Sequence, residues 1–524
     1  MFRSASSPFD FWLDRSGGFP RWSQVILAAL ALLLGLLIIQ LPTAWAALLI
    51  LIALLTVATL IDPAVGIGVA VVLGPTKPAT EFFFPALPLD LGQIALIITL
   101  GAWLLHALQQ RRLVLPHSPL NAPLLTFVGV SSLSLLNALS AGEALTELIK
   151  WGQLIIMMWL VVNLSEGERR QQRMWLFIGL VLAAATAQAL VGVWQFGLRG
   201  DGPQHFEILG GQFYRAYGSF EQPNPYGGFL GLLLPLAIAL SLAALEAWLR
   251  PLLADLQDQQ PLRFQTLVAH SFTVGFLRLI AFGALAGLLL AALLMSWSRG
   301  AWIGFAAAAT TLLFAWPRRW PLGALLVLVA VGLGLFSYQF GLLPAAIADR
   351  LTGFTEFIQI IDVRGVDIND ANYAVIERFA HWQAATEMAR SHPLIGVGIG
   401  NFNAVYPAYG LLNWPQPLGH AHNFYLNLLA EIGILGLFAY LALWAVIVAL
   451  TWGVSRRSDL WTRMLAVGLL GSWAHLTVHH LVDKLYVANL HLHIGLLLGV
   501  LSCLVLMASP SAEPSLVESS ESEL

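Results

Sequence analysis

Apolar residues run along this chain in long blocks, and polar residues gather in the gaps between them. Blocks long enough to cross a bilayer recur from Val25 to Leu506, and a spanning helix needs about 20 such residues. The blocks lack the strict alternation of barrel strands. Helices are the other fold that pairs every backbone group internally in lipid. The pattern predicts an all-α polytopic membrane protein with roughly 12–14 transmembrane helices. Spans fall near 24–41, 43–61, 64–80, 89–108, 120–138, 147–164, 174–197, 226–247, 278–296, 301–316, 321–338, 423–450, 464–480 and 489–507. Pro75 and Pro78 interrupt the third, and 301–316 is short for a bilayer.

The largest gap, 339–422, is too long to be structureless in a compact protein without a purpose. An amphipathic helix is expected inside it, capped by Asp370 or Asn372 and ending at about Ser391, before Pro393. Val375, Phe379, Trp382 and Ala389 share one face of it, suited to the membrane surface or the bundle. Gly396–Gly400, GVGIG, has no strand before it and reads as a tight turn rather than a dinucleotide loop.

Composition agrees with the pattern. Of 524 residues, 58% are hydrophobic and 10% charged, against about 25% charged in soluble domains. The net charge of −3 and the absence of basic runs give no sign of nucleic-acid binding. Cys503 is the one cysteine, so no intrachain disulfide can form. Arginines 3, 15 and 21, then 111 and 112, then 169, 170 and 173, then 318 and 319, then 456, 457 and 463 fall in every second gap. That alternation puts both termini in the cytoplasm. Four regions follow: a cytoplasmic segment 1–22, N-terminal helices 23–197, a core 198–507 that includes the loop 339–422, and an acidic, disordered cytoplasmic tail 508–524.

The opposite, outer face then carries 198–225, 296–302, 339–422 and 481–488. These gaps also hold cations, which the orientation rule does not explain. Pro223 and Pro225 bracket Asn224 in an expected turn, with Arg215 just before it. Gly227, Gly228 and Gly231 allow a close helix approach. Arg299 sits in SWSRGAW between two apolar runs and needs an anionic partner, either a ligand or Glu431. His420, His422 and Asn423 form an HxHN. Two histidines without a third ligand in register make a poor zinc site, whereas a neutral imidazole is a natural base near pH 7. Glu431 lies about two and a half helical turns further in. His475, His479, His480, His491 and His493 read as structural hydrogen-bonding groups.

Four pieces, RAYGSFEQPNPYGGFL (215–230), SWSRGAWIGF (296–305), RFAHWQAATEMARSHPLIGVGIGNF (378–402) and HAHNFYLNLLAEIGILGLF (420–438), occur in an order that resembles the O-antigen ligase and polymerase superfamily. The resemblance implies a GT-C-like, metal-independent glycosyltransferase of the bacterial inner membrane with no cofactor. Its active site would face the periplasm. It would move a glycan from undecaprenyl-pyrophosphate to a lipid or glycan acceptor, as in lipopolysaccharide or polysaccharide biosynthesis, beside a flippase and export proteins. Arg215, Arg299 and Arg378 would hold the pyrophosphate. His422 would be the base, with His420 beside it and Asn224, Asn423 and Glu431 in support. Protein O-oligosaccharyltransferases and a bicarbonate-transporter branch share similar motifs and stay open as alternatives.

Overall fold

The computed structural model describes residues 40–508 apart from 112, 258–272, 354–361, 370–371 and 458, together with Ala29 and Gly35. The 1–22 segment, most of the first expected span (24–41), the cap candidate Asp370 and the 508–524 tail beyond Ala508 therefore lie outside the described residues.

In chain order the helices are α1 (Thr43–Ile61), α2 (Pro63–Leu73), α3 (Lys77–Phe83), α4 (Leu91–Gln109), α5 (Asn121–Ser132), α6 (Ala141–Leu164) and α7 (Arg170–Gly197). A two-residue strand pair, β1 (Glu207–Ile208) and β2 (Phe213–Tyr214), precedes α8 (Pro223–Gln257). Then come α9 (Val274–Met295), α10 (Arg299–Ala315), α11 (Trp320–Gln339), α12 (Ala345–Thr352), α13 (Tyr373–Ser391) and α14 (Phe402–Tyr409). The chain closes with α15 (Phe424–Ser455), α16 (Leu460–His479) and α17 (Leu490–Ala508).

The protein is an all-α multi-pass membrane protein. Nine helices among the described residues are long and apolar enough to cross a bilayer, fewer than the hydropathy blocks suggested. The 64–80 block splits into α2, a 3₁₀ turn at Gly74–Thr76 and α3, because neither Pro75 nor Pro78 can donate to a helix ladder. The 120–138 block gives a 12-residue helix and then a 3₁₀ turn, Leu133–Asn137. Pro223 and Pro225 do not form a turn before α8. They open its first helical turn, where the missing N–H costs nothing.

The core is built around α17, whose residues are almost all buried. Its Gly495 and Gly499 lie against Leu154, Met157 and Val161 of α6, where a Cβ would clash. A second junction joins α8, α10 and α16. His475 fits between Gly231 and Gly304, and His479 between Gly228 and Gly300. The α8 glycines thus do provide a close approach, and what they admit is a pair of imidazoles.

The described residues of 339–422 form a folded cap on two apolar clusters, one of which also takes in Ala430 of α15. In α13, Ile376, Ala380, Ala384 and Met388 pack inside that cap. Asn372 stands at the N-cap, but its side-chain Oδ1 accepts from Asn369 N rather than from an N–H of the helix.

Long α15 is broken at Gly433, with φ 67° and ψ −171°. The break frees backbone groups, and the HPLIGVG loop pairs with them. Val397 N donates to Ala430 O and Gly398 N to Glu431 O, each at 2.9 Å, while Ile434 N donates to Pro393 O at 2.9 Å and Leu435 N to Leu394 O at 3.2 Å. Irregular backbone among spanning helices is tolerated where protein satisfies it in this way. Gly396 is required at this crossing, since a Cβ there would stand 2.3 Å from the Glu431 carbonyl carbon.

Candidate active site

Five segments far apart in sequence meet at one end of the bundle and line a cavity of about 440 Å³. Arg215 comes from the approach to α8 and Asn224 from its first turn, Arg299 from the start of α10, Arg350 from α12 and Arg378 from α13. The α16–α17 connection adds Asp483. Four guanidiniums face one carboxylate among the described lining residues, so the cavity favours an anion.

Arg215, Arg350 and Arg378 are held by local bonds. Arg215 Nε donates to Ser296 O at 3.0 Å and its Nη2 to Asn224 Oδ1 at 3.3 Å. Arg350 places Nε and Nη2 on Trp297 O, at 3.3 and 3.0 Å. Two arginines thus brace the turn that precedes Arg299, where Trp297 has a left-handed φ of 53°. Arg378 Nη1 donates to Ala374 O at 2.8 Å within its own helix. Burial pushes the Arg215 pKa down to about 9, and the charges of Arg350, Arg378 and Arg299 push the same way. Burial, then Arg299 and Arg378, lowers Arg350 to about 10. Guanidiniums stay charged at these values, and the depression reflects burial first and like-charge crowding second, both of which a bound anion would offset.

Ser298 caps α10 by accepting from Ala301 N at 3.4 Å. Ser298 and Gly300 also line the cavity, which puts the positive end of the α10 dipole there. The far end of α10 is held by other arginines: Arg463 Nη1 donates to Trp316 O at 2.6 Å and Arg456 Nη1 to Pro317 O at 3.1 Å. These belong to the set that the orientation rule assigned to the opposite face.

Beside the cavity, Asp483 receives the HxHN. His420 Nε2 and His422 Nδ1 lie 3.7 and 3.8 Å from Asp483 Oδ1. The two histidines do not line the cavity themselves; Asp483 stands between them and it. Burial opposes the Asp483 carboxylate, yet His422, His420 and His479 around it hold its pKa well below the usual range. Burial also pushes His420 down to about 3, despite Asp483. His422 has φ 51°, and neither of its ring nitrogens has a hydrogen-bond partner although both are buried.

A third potential ligand, out of register with the two histidines in the sequence, stands near them in the fold. Asp483 brings three ligand atoms within 4.8 Å of one another; it lies 61 positions after His422, beyond any spacing argument. One hydrogen bond bears on metal binding. His420 Nδ1 accepts the His422 backbone N–H at 3.0 Å, so the proton of neutral His420 sits on Nε2, the atom facing Asp483. That tautomer offers the shared position a proton rather than a lone pair.

Glu431 is not the partner of the cavity arginines. It is buried at the α15 break, where Oε1 accepts from Phe402 N at 3.2 Å. Its cation is Lys484. Burial works against that ammonium, but Glu147 and Glu431 more than offset it and raise its pKa. Lys484 Nζ lies 3.1 Å from Glu147 Oε1, and Lys150 bonds the other oxygen at 2.8 Å. Asn423 caps α15 through Tyr425 N and Leu426 N. Of the five deeper histidines, His491 bonds Gln153 and His493 bonds Val71 O, each at 2.8 Å, as expected of structural groups. His479 differs, since it lines the cavity.

Sequence reasoning did not use Arg350 or Asp483. Arg350 was within reach of the criterion that found Arg215 and Arg299, namely a cation on the face where orientation does not demand one, whereas the anionic Asp483 was not.

Residues 284–441 match the family model described as O-Antigen ligase, and this supports membership of the O-antigen ligase and polymerase superfamily. The matched stretch contains Arg299, Arg350, Arg378, His420, His422 and Glu431; Arg215 and Asp483 flank it. No curated protein matches the chain.

Proposed function

We propose that this protein transfers a glycan from undecaprenyl-pyrophosphate to an acceptor hydroxyl on the periplasmic face of a bacterial inner membrane. The observation that carries the reading is the convergence of Arg215, Arg299, Arg350 and Arg378 on one cavity next to the Asp483–His422 pair. The pyrophosphate sits among the guanidiniums at the α10 N-terminus. The acceptor hydroxyl gives its proton to His422 Nε2 as its oxygen attacks the anomeric carbon. The bond from that carbon to the phosphate oxygen breaks, and its electron pair leaves with the pyrophosphate. Guanidinium forks stabilise the charge that develops there, and Asp483 stabilises the imidazolium. Direct displacement inverts the anomeric centre. Surface polysaccharide in a deletion strain complemented with Arg299→Ala or His422→Ala tests the reading. Loss in both is expected, and wild-type polysaccharide in either contradicts it.

A further inference from the structure

Helix α13 presents Ala374, Arg378 and Trp382 to the cavity at intervals of four, with Val375 and Phe379 alongside. Val375, Phe379 and Trp382 belong to the face expected to rest on the membrane surface or the bundle, and they form part of one wall of the cavity. The Trp382 indole N–H is buried and has no acceptor. Leaving such a group without an acceptor is unfavourable, and native proteins seldom do so without a purpose. The ring of Phe379 meets that of Trp382 at 5.2 Å between centroids and 56° between planes, so the two form an angled apolar wall.

We propose that Trp382 and Phe379 form the subsite for the sugar ring bonded directly to the pyrophosphate. The proposal rests on the reading of the cavity as a lipid-linked glycan site. Phe379 and Trp382 line the same cavity as the four arginines, so a pyrophosphate held among the guanidiniums can carry its first sugar against this wall. A pyranose offers both things the wall lacks: hydroxyl or amide oxygens for the indole N–H, and a C–H face for the aromatic rings. An isoprenoid chain has no acceptor and would leave the N–H unsatisfied. The phosphates already have four guanidiniums. Trp382 thus selects among donors by their first sugar, while the arginines read the pyrophosphate common to all of them.

Binding of two probes to the full chain in nanodiscs tests this: undecaprenyl-pyrophosphate, and undecaprenyl-pyrophosphate bearing one N-acetylglucosamine. Trp382→Phe keeps an aromatic ring and removes the donor. It is expected to weaken the sugar-bearing probe about tenfold and to leave the bare carrier within twofold. Equal weakening of both probes would assign Trp382 to the carrier, and no weakening of either would leave it a packing residue; each result overturns the proposal. If the wild-type protein binds neither probe, the reading of the cavity itself fails, and the subsite with it.

Discussion

His422 Nδ1 lies 3.8 Å from Asp483 Oδ1, and neither nitrogen of that buried imidazole has a hydrogen-bond partner. A carboxylate at that position draws the ring proton to Nδ1 and leaves Nε2 as the base. Asp483→Asn keeps the shape and removes the charge. A fall in kcat of about 100-fold with little change in KM is expected in a reconstituted transfer assay. A kcat within twofold of wild type would show that the pairing has no catalytic role.

Arg350 spends two donors on Trp297 O and so braces the turn that delivers Arg299. Lysine carries the charge without the planar fork. Arg350→Lys should therefore lose about tenfold in kcat/KM. Full activity would mean that charge alone suffices there.

The break in α15 depends on Gly433, where φ is 67° and a Cβ would stand 2.3 Å from Leu394 O. Gly433→Ala should cost on the order of 3 kcal/mol, seen as a lower Tm in detergent. Gly179 of α7 has nothing within 4 Å of an added Cβ. Gly179→Ala serves as the control and should leave Tm unchanged or slightly raised.

His420 is held near 3 by burial, against 6.5 for the free side chain. Between those values the unfolded chain binds more protons than the folded one, so stability falls as pH drops from about 6.5 towards 3. Thermal unfolding between pH 7 and pH 4 should show a shallower loss for His420→Gln than for wild type. Identical slopes would remove His420 from the acid response.

The architecture was legible because lipid imposes long apolar blocks, and the cavity was half legible because Arg215, Arg299 and Arg378 stand where orientation gives no reason for a cation. The break at Gly433 was hidden, since EIGILGLF reads as continuous apolar helix and only the distant HPLIGVG loop makes the break tolerable. Asp483 was visible as a charge but not as a partner of His422, because the pairing crosses two spans. Glu431 was placed at the right depth and given the wrong candidate partner: its neighbours are the Phe402 N–H and Lys484.

The most direct test of the central claim separates binding from chemistry in one reconstituted system. Binding and turnover of an undecaprenyl-pyrophosphate-linked glycan are measured for wild type, Arg299→Ala and His422→Ala in liposomes. The expected result is that Arg299→Ala loses donor binding, while His422→Ala binds the donor normally and loses turnover by about 100-fold or more. Normal turnover in His422→Ala, or normal donor binding in Arg299→Ala, would contradict it.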